Sequence, residues 1–137
     1  MFRELGRGVT TRIFSGEQAM LSVVTLAPNA QGILHHHPEE QWGVLLEGSA
    51  VRVQDGEEIP VKKGDFWRTP GNVPHTMRAG PEGARVLDVF SPPRPEYRKA
   101  GSGFASSLAH QILRPVCMAD CGLIPGAITL RLGLASR

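Results

Sequence analysis

Three consecutive histidines begin the stretch HHHPEEQWGVLLEG, which runs from His35 to Gly48. Imidazole nitrogens, together with carboxylate or amide oxygens, are ligands that bind divalent ions such as Zn, Ni, Fe or Mn. In a β-strand, alternate side chains lie on the same face. His35 and His37 can therefore bind one ion together, whereas His36 is expected to face outward.

The two glutamates and the glutamine that follow offer a further ligand. Counting on by twos from His37 reaches Glu39 and then Gln41, so Gln41 has the parity of the histidines and Glu40 does not. The proline in HPEE can turn the chain, which keeps Glu40 as an alternative. The stretch predicts a metal site and leaves Gln41 and Glu40 both open as its oxygen ligand.

A third imidazole comes from the segment KKGDFWRTPGNVPHTM. Here Gly64 opens a predicted strand, the Pro-Gly-Asn sequence turns the chain, and Pro74 leads into His75. We therefore expect about one divalent metal ion per chain, bound through His35, His37, His75 and one oxygen ligand.

The stretch ARVLDVFSPPR is the second place where residue types indicate chemistry. If Val86, Asp88 and Phe90 share one face of a strand, an acid points into an apolar interior, and such an acid is a candidate functional group. The alternative is an aspartate that ties down a turn at a sheet end. Arg94 follows two prolines, so it could fold over the barrel mouth and bind a carboxylate bidentately, or be an ordinary surface charge.

Short β-rich runs must position these residues. Between Thr11 and Phe90 the runs are separated by turn sequences such as PNAQG, QDGEE and TPGNVP, which predicts an all-β fold, a small barrel or sandwich. The Pro- and Gly-rich SPPRPEYRKAGSG ends the sheet. We expect one barrel domain at residues 1–100 and a short C-terminal tail at 101–137, in which residues 104–114 could form one amphipathic helix. The predicted strands are TRIF, AMLSVVTLA, WGVLLEG, AVRVQ, EIPV, DFWRT, HTMRA and ARVLDVF.

Length and composition narrow the class of protein. A chain of 137 residues suits one domain. With 15 Lys and Arg against 13 Asp and Glu, and no dense basic run, a nucleic-acid partner is not expected. No stretch has the length of a signal peptide or a bilayer span, so we expect a soluble cytoplasmic protein without a membrane partner. Cys117 and Cys121 fit neither a disulfide framework nor a zinc motif.

The two histidine segments resemble the two motifs of the cupin superfamily. In the first motif, a His-x-His pair is followed by a glutamate, and six residues separate that glutamate from a glycine; Gln41 stands at this offset from Gly48. In the second motif Gly64, Pro70 and His75 are in register. The resemblance covers roughly residues 19–90 and implies a single-domain jelly-roll barrel, or double-stranded β-helix; small cupins commonly form homodimers. Four positions depart from the motifs: Gly32 is displaced toward His35, Gln41 replaces a glutamate, Asn72 replaces a glycine and Ala79 replaces an asparagine.

A glutamine in place of the family's glutamate changes the expected chemistry. A neutral amide oxygen leaves the metal its full charge, so the ion should be a stronger Lewis acid. An all-neutral ligand set also stabilises the higher oxidation state of iron less well. The substitution therefore favours a reaction without a redox step.

The His-x-His, glutamine and later histidine, combined with DVFSPPR, resemble the small cupins of pectin and alginate breakdown that linearise 4,5-unsaturated uronates. The resemblance implies that His35, His37, Gln41 and His75 bind the metal. It also implies that Asp88, Phe90 and Arg94 act in catalysis. A metal could stabilise the enolate, Asp88 could move a proton and Arg94 could hold the carboxylate of this small-molecule substrate.

Other functions remain compatible with the sequence. A polyketide cyclase or a metal-dependent oxygenase on the same fold could use Trp42, Phe66 and Met77 if these residues line the cavity. A further hypothesis is a non-catalytic cupin that senses a sugar or small acid, since a fold does not fix a function.

Overall fold

The structure, a computed structural model, describes residues 1–99, which form seven β-strands and one 3₁₀ turn. The predicted tail, its helix and both cysteines lie outside the described residues, and the boundary at residue 100 stays a prediction. Within residues 1–99, no helix is long and apolar enough to cross a membrane. The elements are β1 Phe2–Gly6, β2 Val9–Ser15, β3 Met20–Leu26, β4 Glu40–Gln54, β5 Glu57–Lys62, β6 Phe66–Thr69, β7 His75–Ser91 and the 3₁₀ turn Pro95–Arg98.

All strand pairs are antiparallel, and the sheet order is β1-β2-β3-β7-β4-β5, with β6 paired to β4. The two longest strands, β4 and β7, pair along most of their length. Alternate residues of each strand face the interior, as a closed antiparallel sheet requires. The all-β prediction is confirmed.

The predicted runs differ from the strands in two ways. WGVLLEG and AVRVQ are one strand, β4, and HTMRA and ARVLDVF are one strand, β7. The sequence FRELG was not predicted as a strand, yet it forms β1 and pairs with β2. Its Arg3 faces inward and is buried, because its guanidinium donates to the carbonyls of Glu96 and Lys99, at 3.3 Å each.

A bend near Gly48 lets β4 and β7 stay paired while they change direction. Register shifts fall between Leu45 and Glu47 and between Gly48 and Ala50. Gly48 has a φ of 78°, and a Cβ there would lie 2.0 Å from the carbonyl oxygen of Gly83. Only glycine fits this left-handed, crowded position.

The interior of the barrel combines an apolar core with polar side chains that point inward. The buried polar and charged residues include the predicted site residues together with Arg52, Gln54 and Thr69. The largest apolar contributions come from buried strand residues and from one residue of the 3₁₀ turn, namely Leu5, Val9, Ile13, Met20, Leu26, Leu45, Val61, Trp67, Val86, Phe90 and Tyr97.

Candidate metal centre and adjoining carboxylate

Three histidines from two segments meet inside the barrel. His35 and His75 face each other across an isolated bridge, with backbone N–H to carbonyl distances of 3.1 and 2.9 Å. His37 is held by the backbone N–H of Asn72, which donates to the His37 carbonyl at 2.7 Å. Asn72 occupies the left-handed region at φ 64°, which asparagine tolerates better than most residues and which explains the glycine in the family motif. His36 is only half-buried and is not part of the cluster.

The three imidazoles present the same nitrogen to one another. A carbonyl can only accept a hydrogen bond, so each Nδ1 must carry the proton, and each Nε2 keeps a lone pair for a metal. Burial lowers the pKa of His35 and His37 to about 3 and that of His75 to about 4, so all three are neutral near pH 7. The Nδ1–H groups of His35, His37 and His75 donate to the carbonyls of Ile33 at 2.8 Å, Glu39 at 3.0 Å and Val73 at 2.8 Å.

Gln41 adds an oxygen to this cluster. Its Oε1 lies 3.0 Å from Nε2 of His37 and 3.0 Å from Nε2 of His75. These atoms are all acceptors in the tautomer just described, and a cation between them would remove their mutual repulsion. The possible ligand atoms of the three histidines lie within 4.8 Å of one another. The group could hold a metal ion, and its neutral N and O donors fit a divalent one.

Glu40, the alternative oxygen ligand, points out of the barrel. Its carboxylate accepts hydrogen bonds from Trp42 at 2.8 Å and from Arg68 at 3.1 Å. The assumption of one continuous strand from His35 to Gln41 is wrong, because the chain bends at Pro38 and β4 begins only at Glu40. Gln41 faces inward because of its place in β4. Its assignment as the ligand stays a prediction.

Trp42 does not line the cavity. The cyclase or oxygenase interpretation required that it should. It is 45% exposed and lies on the outer face of β4. Phe66 is not among the cavity-lining residues, whereas Met77 and Trp67 are. Of the three apolar residues named from the sequence, only Met77 is therefore placed to contact a ligand.

Asp88 lies on the inner face of β7 with Val86 and Phe90, and all three are buried. Asp88 is paired on both sides, opposite Ser22 of β3 and Gly43 of β4, so it is part of the sheet and does not tie down a turn. Burial raises the pKa of its carboxyl to about 7, against the opposing effects of the Gln41 side chain and of the positive charges of Arg52 and Arg94. Such a group can both accept and donate a proton near neutral pH.

The amide of Gln41 thus joins two parts of the site. Its oxygen faces the histidines, and the same side chain favours the charged form of Asp88 and so lowers the pKa of that carboxyl. With the oxygen toward the imidazoles, the NH₂ group is the part of the amide that favours a nearby carboxylate. A glutamate in place of Gln41 would set two carboxylates against each other, so the glutamine suits the aspartate beside it.

Arg94 is fully buried and lines the same cavity. Its guanidinium carbon lies 4.2 Å from the ring centroid of Tyr97 and 5.4 Å from that of Phe90. The Phe90 ring in turn meets the His37 ring edge-on, with 5.3 Å between centroids. Arg94 therefore does fold back toward the barrel interior, but as part of a packed stack, and its grip on a substrate carboxylate stays a prediction.

Sequence reasoning missed two charged groups of this site. Glu39 is buried, with its carboxylate 3.4 Å from Nδ1 of His37 and 4.0 Å from Nε of Arg94. Its parity had placed it on the face of His37, but nothing in the sequence indicated the contact with Arg94. Arg52 of β4 is also buried and lines the cavity, and no sequence signal singled it out.

The profile of the Cupin domain family matches residues 22–90, and the chain belongs to this family. The cupin fold implied by the two histidine motifs is thereby confirmed. The chain is similar to the pectin degradation protein KdgF of Dickeya dadantii (strain 3937), at 31% identity over 98 residues that cover 70% of this chain and 89% of that protein.

Two further comparisons agree on the fold. The oxalate decarboxylase OxdC of Bacillus subtilis (strain 168) is 38% identical over 90 residues, which cover 61% of this chain. The match spans only 23% of that longer protein. The structure of KdgF from Halomonas sp. superposes with a TM-score of 0.66 at 24% identity, over 71% of this chain and 90% of that one. This last likeness concerns the fold alone.

Proposed function

We propose that this protein is a metal-dependent enzyme that opens 4,5-unsaturated uronate monosaccharides and converts them to the linear keto form. The observation that carries the proposal is the buried Asp88 carboxyl, which lines one cavity with Gln41 and with the neutral imidazoles of His35 and His75. The similarity to a pectin degradation protein along most of that protein's length supports the substrate class.

The proposed reaction is an isomerisation without a redox step. The C1–O5 bond of the cyclic sugar breaks, the C1 hydroxyl loses its proton to give an aldehyde, and C4 gains a proton as the C5 enol becomes a ketone. Asp88 takes the proton from the hydroxyl and returns it to C4, because a carboxyl with a pKa of about 7 populates both protonation states. The atoms balance without an organic cofactor.

One divalent ion (Zn, Ni, Fe or Mn) would be held by His35, His37, Gln41 and His75. When bound, it supplies a positive charge that favours the enolate form of the opened sugar. The protein's own contribution is the fixed tautomer of each imidazole and a neutral oxygen donor, which leave the charge of the ion undiminished.

Phe90 and Arg94 complete the proposed catalytic set. Phe90 forms an apolar wall beside His37 that excludes water from the reacting atoms. The positive charges of Arg52 and Arg94 both lower the pKa of Asp88, so Arg94, like Arg52, also favours the anionic sugar in the cavity. The homodimer and the cytoplasmic location remain predictions.

The test is the fall in ultraviolet absorbance as the C4=C5 bond of 4,5-unsaturated galacturonate, or of its alginate-derived counterpart, disappears. Metal-loaded protein is expected to exceed the spontaneous rate, and oxalate serves as a comparison substrate that should not be consumed. Asp88→Asn should keep its metal and lower turnover by roughly 100-fold or more. Decay at the spontaneous rate with every candidate metal would reject the proposal in favour of the cyclase, oxygenase or sensor.

A further inference from the structure

Two buried arginines, Arg52 and Arg94, line the cavity, and the side chains around them differ. Arg94 lies 4.0 Å from the carboxylate of Glu39, so the protein itself supplies it with a negative partner. Arg52, on the second half of β4, is 2% exposed. Its hydrogen-bond partners within residues 1–99 are Gln54 and Thr69, and both are neutral.

The neighbours of Arg52 fix its orientation. One terminal nitrogen, Nη2, donates to the side-chain oxygen of Gln54 and, at 3.4 Å, to the hydroxyl of Thr69. The Thr69 hydroxyl donates to the same Gln54 oxygen at 3.0 Å. The guanidinium carbon lies 5.2 Å from the centroid of the Trp67 ring. Arg52 is therefore held at one edge and on one face, as a preorganised binding group is.

The two remaining nitrogens of the guanidinium, Nε and Nη1, make no hydrogen bond to any residue among 1–99. A buried guanidinium is costly, and burial lowers the pKa of Arg52 to about 10, against the opposing effects of the negative charges of Asp88 and Glu57. An anion in the cavity would compensate this cost further. Nη1 has two N–H groups that can donate to the oxygens of a carboxylate.

The position of Arg52 relative to the histidines suits a ligand that spans the site. Arg52 pairs with Met77 of β7, and Gln54 two residues further on pairs with His75. Arg52 thus lies on the side of His75, whereas Arg94 lies on the side of His37 with Phe90. Asp88 and Gln41 line the same cavity, and the charges of both arginines act on Asp88.

We propose that Arg52, rather than Arg94, binds the carboxylate of the sugar acid, and that Arg94 instead positions Phe90 and Glu39 around His37. This inference rests on the proposed function for the class of ligand, an anionic monosaccharide. It assigns to the second half of β4 a substrate-binding role separate from metal binding and from proton transfer.

The test compares 4,5-unsaturated galacturonate with its methyl ester, which lacks the negative charge. In Arg52→Gln the KM for the acid should rise roughly 10- to 100-fold, the usual worth of hydrogen bonds to a charged group, with the KM for the ester unchanged. The kcat should change little, because the carboxylate contact exists in the ground and transition states alike. Arg85→Gln, which removes an exposed arginine of β7, should leave both KM values unaltered.

Metal content and circular dichroism show whether Arg52→Gln is folded. If it is not, Arg52→Lys replaces it, and the loss of the planar fork should still raise the KM for the acid, by a smaller factor. An equal change in KM for acid and ester, or no change for either, would overturn the role of Arg52. So would the acid-specific effect appearing in Arg94→Gln instead.

The two proposals can fail separately. If the wild-type protein converts neither compound, the proposed function is wrong, and calorimetry with D-galacturonate and D-galactose then decides on Arg52. Binding of galacturonate but not galactose, lost in Arg52→Gln, supports the carboxylate site. Binding of neither sugar, or galacturonate binding that survives the substitution, rejects it.

Discussion

The two halves of β4 bring different chemistry to the same cavity. The first half, Glu40–Leu45, lies between β6 and β7 and turns a neutral amide toward the histidines. The second half, Glu47–Gln54, pairs with β5 and β7 and turns a guanidinium inward. The buried residues are Gln41, Gly43 and Leu45 in the first half and Ala50, Arg52 and Gln54 in the second.

Two register shifts separate the halves, one between Leu45 and Glu47 and one between Gly48 and Ala50. At the first of them Leu46 is an extra residue of β4 opposite β7, and one extra residue reverses which side chains face inward. In the first half odd-numbered positions are buried, and in the second half even-numbered ones are. The bulge therefore makes Arg52 an interior residue and leaves Val51 and Val53 only partly buried.

The largest expected effect is the loss of the metal when two of the histidines that face the first half of β4 are removed. The double variant His37→Ala and His75→Ala should lose stoichiometric metal altogether, because too few donors remain for a divalent ion. Elemental analysis of protein purified without a histidine tag measures this. His36→Ala is the matched control, since His36 lies outside the cluster, and it should keep its metal. Full metal content in the double variant would contradict the assignment.

A smaller effect tests whether Gln41 or Glu40, both in the first half of β4, binds the metal. Gln41→Ala should weaken metal affinity by roughly 100-fold, because it removes the oxygen donor that lies beside the histidine nitrogens. Glu40→Gln should leave the affinity nearly unchanged, since Glu40 contacts Trp42 and Arg68 on the outer face. Metal titration with a competing chelator compares the two. The reverse ranking would make Glu40 the ligand.

The metal cluster could be predicted because its signals are local. Each histidine stands beside turn residues that fix its direction, and the offset of Gln41 from Gly48 is a short-range pattern. The inward alternation of β7 likewise placed Asp88 and Phe90 correctly in the interior. Even so, the strand assumed between His35 and Gln41 does not exist, so the expected position of Gln41 was reached from a wrong premise.

What could not be predicted depends on distant contacts. Arg3 is buried in β1 because it meets the carbonyl of Glu96, more than ninety positions away in the chain, and its ring contact is with Tyr97. The stacking of Arg94 on Tyr97 also requires the turn that follows the prolines. Arg52 was not predicted as a site residue, because the alternation in AVRVQ favours a strand whose valines face inward. A bulge has no signature in the composition that would correct this expectation.

The smallest expected effect concerns Trp67, the side chain that connects the two halves of β4. A Cβ added at Gly43 would lie 2.3 Å from the Trp67 ring, and Arg52 lies over the same ring at 5.2 Å. Gly43→Ala should lower the free energy of unfolding by about 2 kcal/mol, within the range for overpacking, because the buried indole ring must move as a rigid unit. Ser49→Ala introduces the same residue at an exposed position of β4 and should cost less than about 0.5 kcal/mol. Chemical denaturation monitored by tryptophan fluorescence gives both values. Equal stability of the two variants would show that Trp67 does not connect the halves, whereas a loss confined to Gly43→Ala, together with a weaker acid preference, would show that the ring also positions Arg52.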